Sequence, residues 1–184
     1  MTLMLVNGPA AEPVTLAEVR AHLRLDTTSE DALLTALITA ARAALEGETR
    51  RAFVTQGWRM LLDEWPGVTV RLPLAPVAAV TAVTLDGIGA LDPTHYETAL
   101  AGDEPRLVAA RAWPAPLQRV AGIAIDFEAG YGAAAAVPAP LKQAVLMLAA
   151  HWFEHREPVS LGGAPMEMPL AVSALVAPYR RIRL

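Results

Sequence analysis

Apolar residues in this 184-residue chain repeat with a helical period toward both ends and a strand period in the middle. That switch limits the fold more than any single motif does. Leu33, Leu34, Leu37, Ile38, Ala41 and Leu45 form one stripe, which predicts an amphipathic helix over about residues 30–50. Glu30, Asp31, Thr35, Arg42, Glu46 and Glu48 mark its expected wet face. Ahead of it, Thr15 and Glu18 have the spacing of a capping box, which starts a shorter helix ending near Leu23 or Leu25. Thr28 or Ser29 is the expected cap of the longer helix.

Strand alternation then takes over. It predicts strands over residues 54–65, 68–72 and 77–85, with Pro73 and Pro76 bracketing a bend and Asp86-Gly87 making a turn. Residues 88–118 read as irregular, with one short strand near Leu107-Val108. In residues 120–128, Ile123, Ile125 and Phe127 face one way, and Ala124, Asp126 and Glu128 the other. Pro138 and Pro140 start a last long helix, where missing amides do no harm. Its buried stripe is Leu141, Val145, Leu148 and Trp152, so Trp152→Ala is expected to open a core cavity costing about 3–5 kcal/mol. Gly162-Gly163-Ala164-Pro165 breaks the chain before a short helix over residues 170–176. Helices, then strands, then helices read as α+β: mainly a helical bundle, with long amphipathic helices near 30–50 and 138–157, around a strand-rich middle. The expected organisation is a single domain over 1–184. It is helical over 13–51 and 138–178, β-rich over about 54–128, with a C-terminal arm at 179–184.

Composition excludes several classes. Apolar residues make up 54% of the chain, but only 5% of residues are aromatic, so the core must be built mostly from Ala, Val and Leu. The net charge of −4 disfavours general binding to phosphate backbones. Cysteine is absent, which removes disulfides and thiolate metal sites. No apolar run reaches the roughly 18 residues that would cross a membrane. The start Met1-Thr2-Leu3-Met4 lacks the basic opening of a signal peptide, which predicts a cytoplasmic chain.

Candidate chemistry is sparse. His151, Glu154 and His155 match the H-x-x-E-H pattern of inverted zinc proteases, and two imidazoles at i and i+4 share a helix face. A third ligand would have to follow, and only Glu157 and Glu167 do. The bland alternative is a helix end where His and Arg meet the negative dipole terminus. Asp126 and Glu128 share a strand face with no obvious polar partner and read as solvated. Gly130-Tyr131-Gly132 lacks the spacing of a dinucleotide fingerprint and reads as a turn, and Ser160 and Ser173 lack a nucleophile-elbow context. Trp58, Trp65, Trp113 and Trp152 read as packing residues. The tail Tyr179, Arg180, Arg181, Ile182, Arg183 and Leu184 follows Pro178 and reads either as an extended interaction arm or as a frayed end.

These motifs, in this order, resemble the head–tail connector (adaptor) proteins of long-tailed bacteriophages and gene transfer agents. The resemblance rests on Thr15-Leu16-Ala17-Glu18-Val19-Arg20-Ala21-His22-Leu23-Arg24 and on the Glu30-Asp31 helix start. It rests also on Leu72-Pro73-Leu74-Ala75-Pro76-Val77, on the stretch from Phe127 to Gly132 and on the helix from Pro138. The chain departs from compact members in its longer middle from Gly87 to Gln118. The resemblance implies a subunit of a ring, usually of twelve, beneath the portal of a DNA-filled head. Such a ring extends the DNA channel and offers a face to a tail-side stopper or terminator. It implies no catalytic residue, no cofactor and no metal. It also implies that Tyr179 to Leu184 reaches toward the portal protein. Acidic walls would let DNA slide, so Glu30, Asp31, Glu46 and Glu48 are candidates for lining the channel. The competing expectations are a zinc-dependent hydrolase built on His151, Glu154 and His155, and a small cytoplasmic adaptor binding one protein partner through its tail.

Overall fold

In a computed structural model, residues 1–155 and 168–181 are described. Expectations for Glu157, Ser160, Glu167, the Gly162 to Pro165 break and Ile182, Arg183 and Leu184 fall outside these residues. The fold is α+β. The chain divides into two compact units, each made of two stretches of sequence. One is Met1–Ala10 with Val54–Tyr131, and the other is Ala11–Phe53 with Gly132–Leu184.

The second unit is helical. Its elements are α1 (Leu16–Leu23), α2 (Asp31–Thr49), α3 (Ala139–Glu154) and α4 (Leu170–Val176), with a 3-10 turn at Ala177–Tyr179. The capping box forms: the Glu18 amide donates to Thr15 Oγ1 at 3.2 Å, and the Thr15 amide donates to Glu18 Oε2 at 2.6 Å. The expected caps Thr28 and Ser29 do not cap α2. Its N-cap is Glu30, whose side chain makes no capping hydrogen bond, and the backbone turns there through Asp31 N–H to Thr28 C=O at 3.2 Å. Leu34, Ile38, Ala41 and Leu45 bury the α2 stripe, while Leu33 and Leu37 lie half-buried at its margins. They pack on α3, whose Leu141, Ala144, Val145, Leu148 and Ala149 are all essentially inaccessible. Alanines at the contact let the two helix backbones approach closely. Trp152 is only half-buried, so the full cavity cost expected of it does not apply.

The Thr15 amide and hydroxyl hold the Glu18 carboxyl below its usual range. A lowered folded-state pKa contributes stability that is complete above the ordinary glutamate value and is lost as pH falls through the lowered one. Thr15→Ala should therefore cost about 1 kcal/mol at neutral pH and less in acid. Thermal melts of both proteins at pH 7 and pH 3 check this, and an equal loss at both pH values would rule it out.

The first unit is made of strands. A five-stranded antiparallel sheet runs in the order β1 (Thr2–Asn7), β2 (Gln56–Leu62), β8 (Ile123–Ala129), β4 (Val77–Leu85), β5 (Gly89–Ala90). A three-stranded antiparallel sheet runs β3 (Thr69–Arg71), β7 (Arg106–Ala109), β6 (Tyr96–Ala99). Central β8 alternates as expected, with Ile123, Ile125, Phe127 and Ala129 buried. β1 and β6 were not expected. The first is apolar without alternation, and the second is short, polar and inside the stretch read as irregular. Trp65 and Trp113 clasp two loops: their rings stack at 4.1 Å, and each indole N–H donates to a carbonyl of the other loop, Pro114 and Gly67, at 2.9 Å.

Candidate functional site

The tail meets the end of α2. Arg51 Nε donates to the Tyr179 carbonyl at 2.7 Å, and its guanidinium lies 5.9 Å from the centre of the Tyr179 ring. Arg180 pairs with Glu48 at 2.8 Å, and the Arg181 amide donates to the Thr49 carbonyl at 3.4 Å. The expected free arm after Pro178 is thus corrected: Pro178 lies in the 3-10 turn, and Tyr179, Arg180 and Arg181 are held on the helical unit. Local electrostatics account for this. A helix C-terminus carries unsatisfied carbonyls and partial negative charge, and Glu48 adds a full one.

The four candidate channel acids do not form one cluster. Glu30 and Asp31 stand at the start of α2, and Glu46 and Glu48 near its end, about 24 Å away along the axis at 1.5 Å per residue. Arg20 grips both oxygens of Asp31. Glu46 accepts from Arg42 Nη1 at 2.6 Å and from the Phe53 amide at 2.7 Å. Glu48 takes Arg180. Asp31, Glu46 and Glu48 therefore each carry a cation within the subunit.

Arg42, expected on the wet face, is 8% exposed. It also donates to Glu12 at 2.7 Å, a partner that its position 30 residues away conceals in the sequence. Burial alone would push the Arg42 pKa down, but bonds and charges from Glu12 and Glu46 carry it above its usual value. Asp126 was expected to lack a polar partner. It instead accepts both prongs of Arg59 at 2.6 and 2.8 Å, directly across the β2–β8 pair. Both residues occupy outward positions of neighbouring strands, so the pairing register was the missing information. Glu128 is exposed.

Among the described residues, His151 and His155 form no part of the alternative zinc site. Their ring centres lie 4.4 Å apart with the planes tilted by 34°, and His155 Nδ1 lies 3.0 Å from the His151 carbonyl. Among the described residues, no group of three or more His, Asp or Glu is arranged to hold a metal ion.

The family described as "Phage gp6-like head-tail connector protein" matches residues 13–84. Solved structures extend the likeness over the whole chain. A chain from the "Neck of empty GTA particle computed with C6 symmetry" is 36% identical, with 100% of this chain and 97% of that one covered and a TM-score of 0.82. A chain from the "Virion of native gene transfer agent (GTA) particle" is 36% identical, with the same coverage and a TM-score of 0.81. A third, from the "Neck of native GTA particle computed with C12 symmetry", is 34% identical over the same shares of both chains, with a TM-score of 0.79. No curated protein matches. The chain belongs to the head–tail connector family. Its role is structural: it joins head to tail.

Proposed function

We propose that this connector works as a closed ring, of twelve subunits, in the neck of a phage or gene-transfer-agent particle. The carrying observation is the 36% identity over the full chain to a subunit of a particle neck. The C12 symmetry of another similar neck supports the count of twelve. On this reading the chain acts as one connector domain, without catalysis or cofactor. The ring sits below the portal protein, extends the DNA channel, and presents its other face to a tail-side stopper or terminator. DNA passes through without sequence-specific contact. Assembly takes place in the host cytoplasm. Among the described residues, no helix is long and apolar enough to cross a membrane. Imaging purified protein mixed with portal-bearing heads tests the reading. A new ring-shaped layer under the portal vertex is the expected result, and heads that bind nothing would overturn it.

The segment from Tyr179 to Leu184 is the proposed portal contact. Tyr179, Arg180 and Arg181, docked on α2, would launch residues 182–184 from a fixed point. Removing residues 182–184 keeps the docked contacts, so the melting temperature should stay within about 1 °C while head attachment weakens. Unchanged attachment would leave the tail without this role. Glu30, Asp31, Glu46 and Glu48 remain the proposed channel-facing acids, with α2 presenting one pair near each end. Because Asp31, Glu46 and Glu48 are paired, such a wall would be mildly acidic, which suits sliding. A ring with these four on its outer rim would remove the proposal.

A further inference from the structure

The three-stranded sheet of the first unit has two uncovered edges with opposite charge. On one side, Arg71 of β3 lies directly across from Arg106 of β7. Like charges in that position repel. Neither arginine has an ion pair among the described residues, and both are exposed. They flank an open groove of 880 Å³ beside β3 whose apolar lining includes Met60, Leu62, Val68 and Val108. On the other side lies β6, with Glu97 exposed and without an ion pair among the described residues. Register puts these charges on one face. Thr69 and Glu97 both oppose Val108, while Arg71 and Ala99 both oppose Arg106. Side chains two apart along a strand point the same way, so Arg71, Arg106 and Glu97 share a face.

We propose that the β6 edge of one subunit enters the groove beside the β3 edge of the next, setting Glu97 against Arg71 and Arg106. The occupant is a second copy of this chain, and the proposal rests on the ring reading above. Charge complementarity between the two edges is the argument for that occupant. β3 and β6 both run antiparallel to β7, so they are parallel to each other. A copy laid edge to edge continues the sheet, and the same step repeats around a ring. Heterologous closure requires such a pair of different, complementary patches. Edges this short add few backbone bonds, so the charges set the register. A slip by one residue would turn Glu97 to the opposite face, away from both arginines. The repulsion between Arg71 and Arg106 is then relieved by a carboxylate that arrives with assembly.

Charge reversal tests this. Arg71→Glu gives Arg106 an acid across the strands, so folding is not at risk. It should lower the fraction of subunit found in head-bound rings about tenfold, because like charges would meet at the joint. Glu97→Arg should do the same, and the double variant Arg71→Glu/Glu97→Arg should restore assembly. A second measurement uses the absence of cysteine. Within one subunit β7 separates positions 71 and 97 by two strand spacings, about 9.5 Å, beyond disulfide reach. Oxidised rings of the variant Arg71→Cys/Glu97→Cys should therefore give a ladder of linked subunits. If wild-type rings form while both single reversals assemble normally and no ladder appears, the edge contact is wrong and the ring reading stands. If wild-type protein never forms rings on heads, the ring reading itself fails.

Discussion

Gly130→Ala should destabilise the protein by about 3–5 kcal/mol, a large effect for a single added methyl group. Gly130 follows β8 with φ +138°, in a region that L side chains rarely adopt. A Cβ there would lie 2.6 Å from the Thr55 N and Cα atoms and from the Val54 carbonyl carbon. All three are backbone atoms, so no side chain can swing aside. The Gly130 amide also donates to the Pro76 carbonyl at 2.9 Å, which resists any outward shift. Strain costs about 1–3 kcal/mol, and forcing atoms into packed backbone costs a similar amount. Gly132 is the control. Its φ is +122°, but a Cβ would meet only the Ala136 Cβ at 3.3 Å, so Gly132→Ala should cost about 1–3 kcal/mol from strain alone. Urea unfolding of the three proteins decides it. Equal losses at both positions would mean that the contact with Val54 and Thr55 relaxes freely.

Arg42→Met should cost about 2–4 kcal/mol, although methionine keeps much of the side-chain volume. The arginine side chain is 9% exposed and binds two carboxylates, Glu46 at 11% and Glu12 at 25% exposure. Removing one partner of a buried ion pair leaves uncompensated charge, which costs about 3–5 kcal/mol when burial is complete. Glu12 is partly open to water, so the cost falls about 1 kcal/mol below that range. Glu46 would keep its bond from the Phe53 amide. Phe53 is fully buried, so a shift of Glu46 would disturb the exit of the chain from α2. A loss under about 1 kcal/mol in the same assay would show that both acids rehydrate in the variant.

Residues whose periodicity was bounded by strong punctuation were legible in the sequence. β4 spans Val77–Leu85 as expected, because Pro76 and the Asp86-Gly87 turn close its two ends. The α1 capping box and the buried stripe of α2 were legible for the same reason. Thr2–Asn7 was not, since a strand apolar on both faces has no alternation to find. Its Met4, Leu5 and Val6 are in fact about half exposed. Tyr96–Ala99 was missed because its pairing comes from Arg106–Ala109 and not from its own pattern. The candidate acids were legible as residues but not as a site. Spacing along α2 marks Glu46 and Glu48 as outward, yet Arg42 and Arg180 fold over them. Arg42 itself was misread because long-range pairing with Glu12 overrides helical periodicity. The tail was misread because proline was taken to release it, whereas Arg51, Glu48 and the Thr49 carbonyl hold it.

Neither unit is continuous in sequence. The five-stranded sheet needs Thr2–Asn7, then Gln56–Leu62, then Ile123–Ala129, and the helical unit needs Ala139–Glu154 to cover α2. A ribosome that has released only the first hundred residues holds neither a finished sheet nor a finished bundle. Contacts between such distant segments cannot close until synthesis has passed both. Incomplete chains lack the β7 strand on which β3 and β6 meet, so they cannot offer both edges of the proposed joint. A part that must close a ring of identical neighbours is thereby guarded against the one defect a ring cannot absorb, a subunit with only one working side.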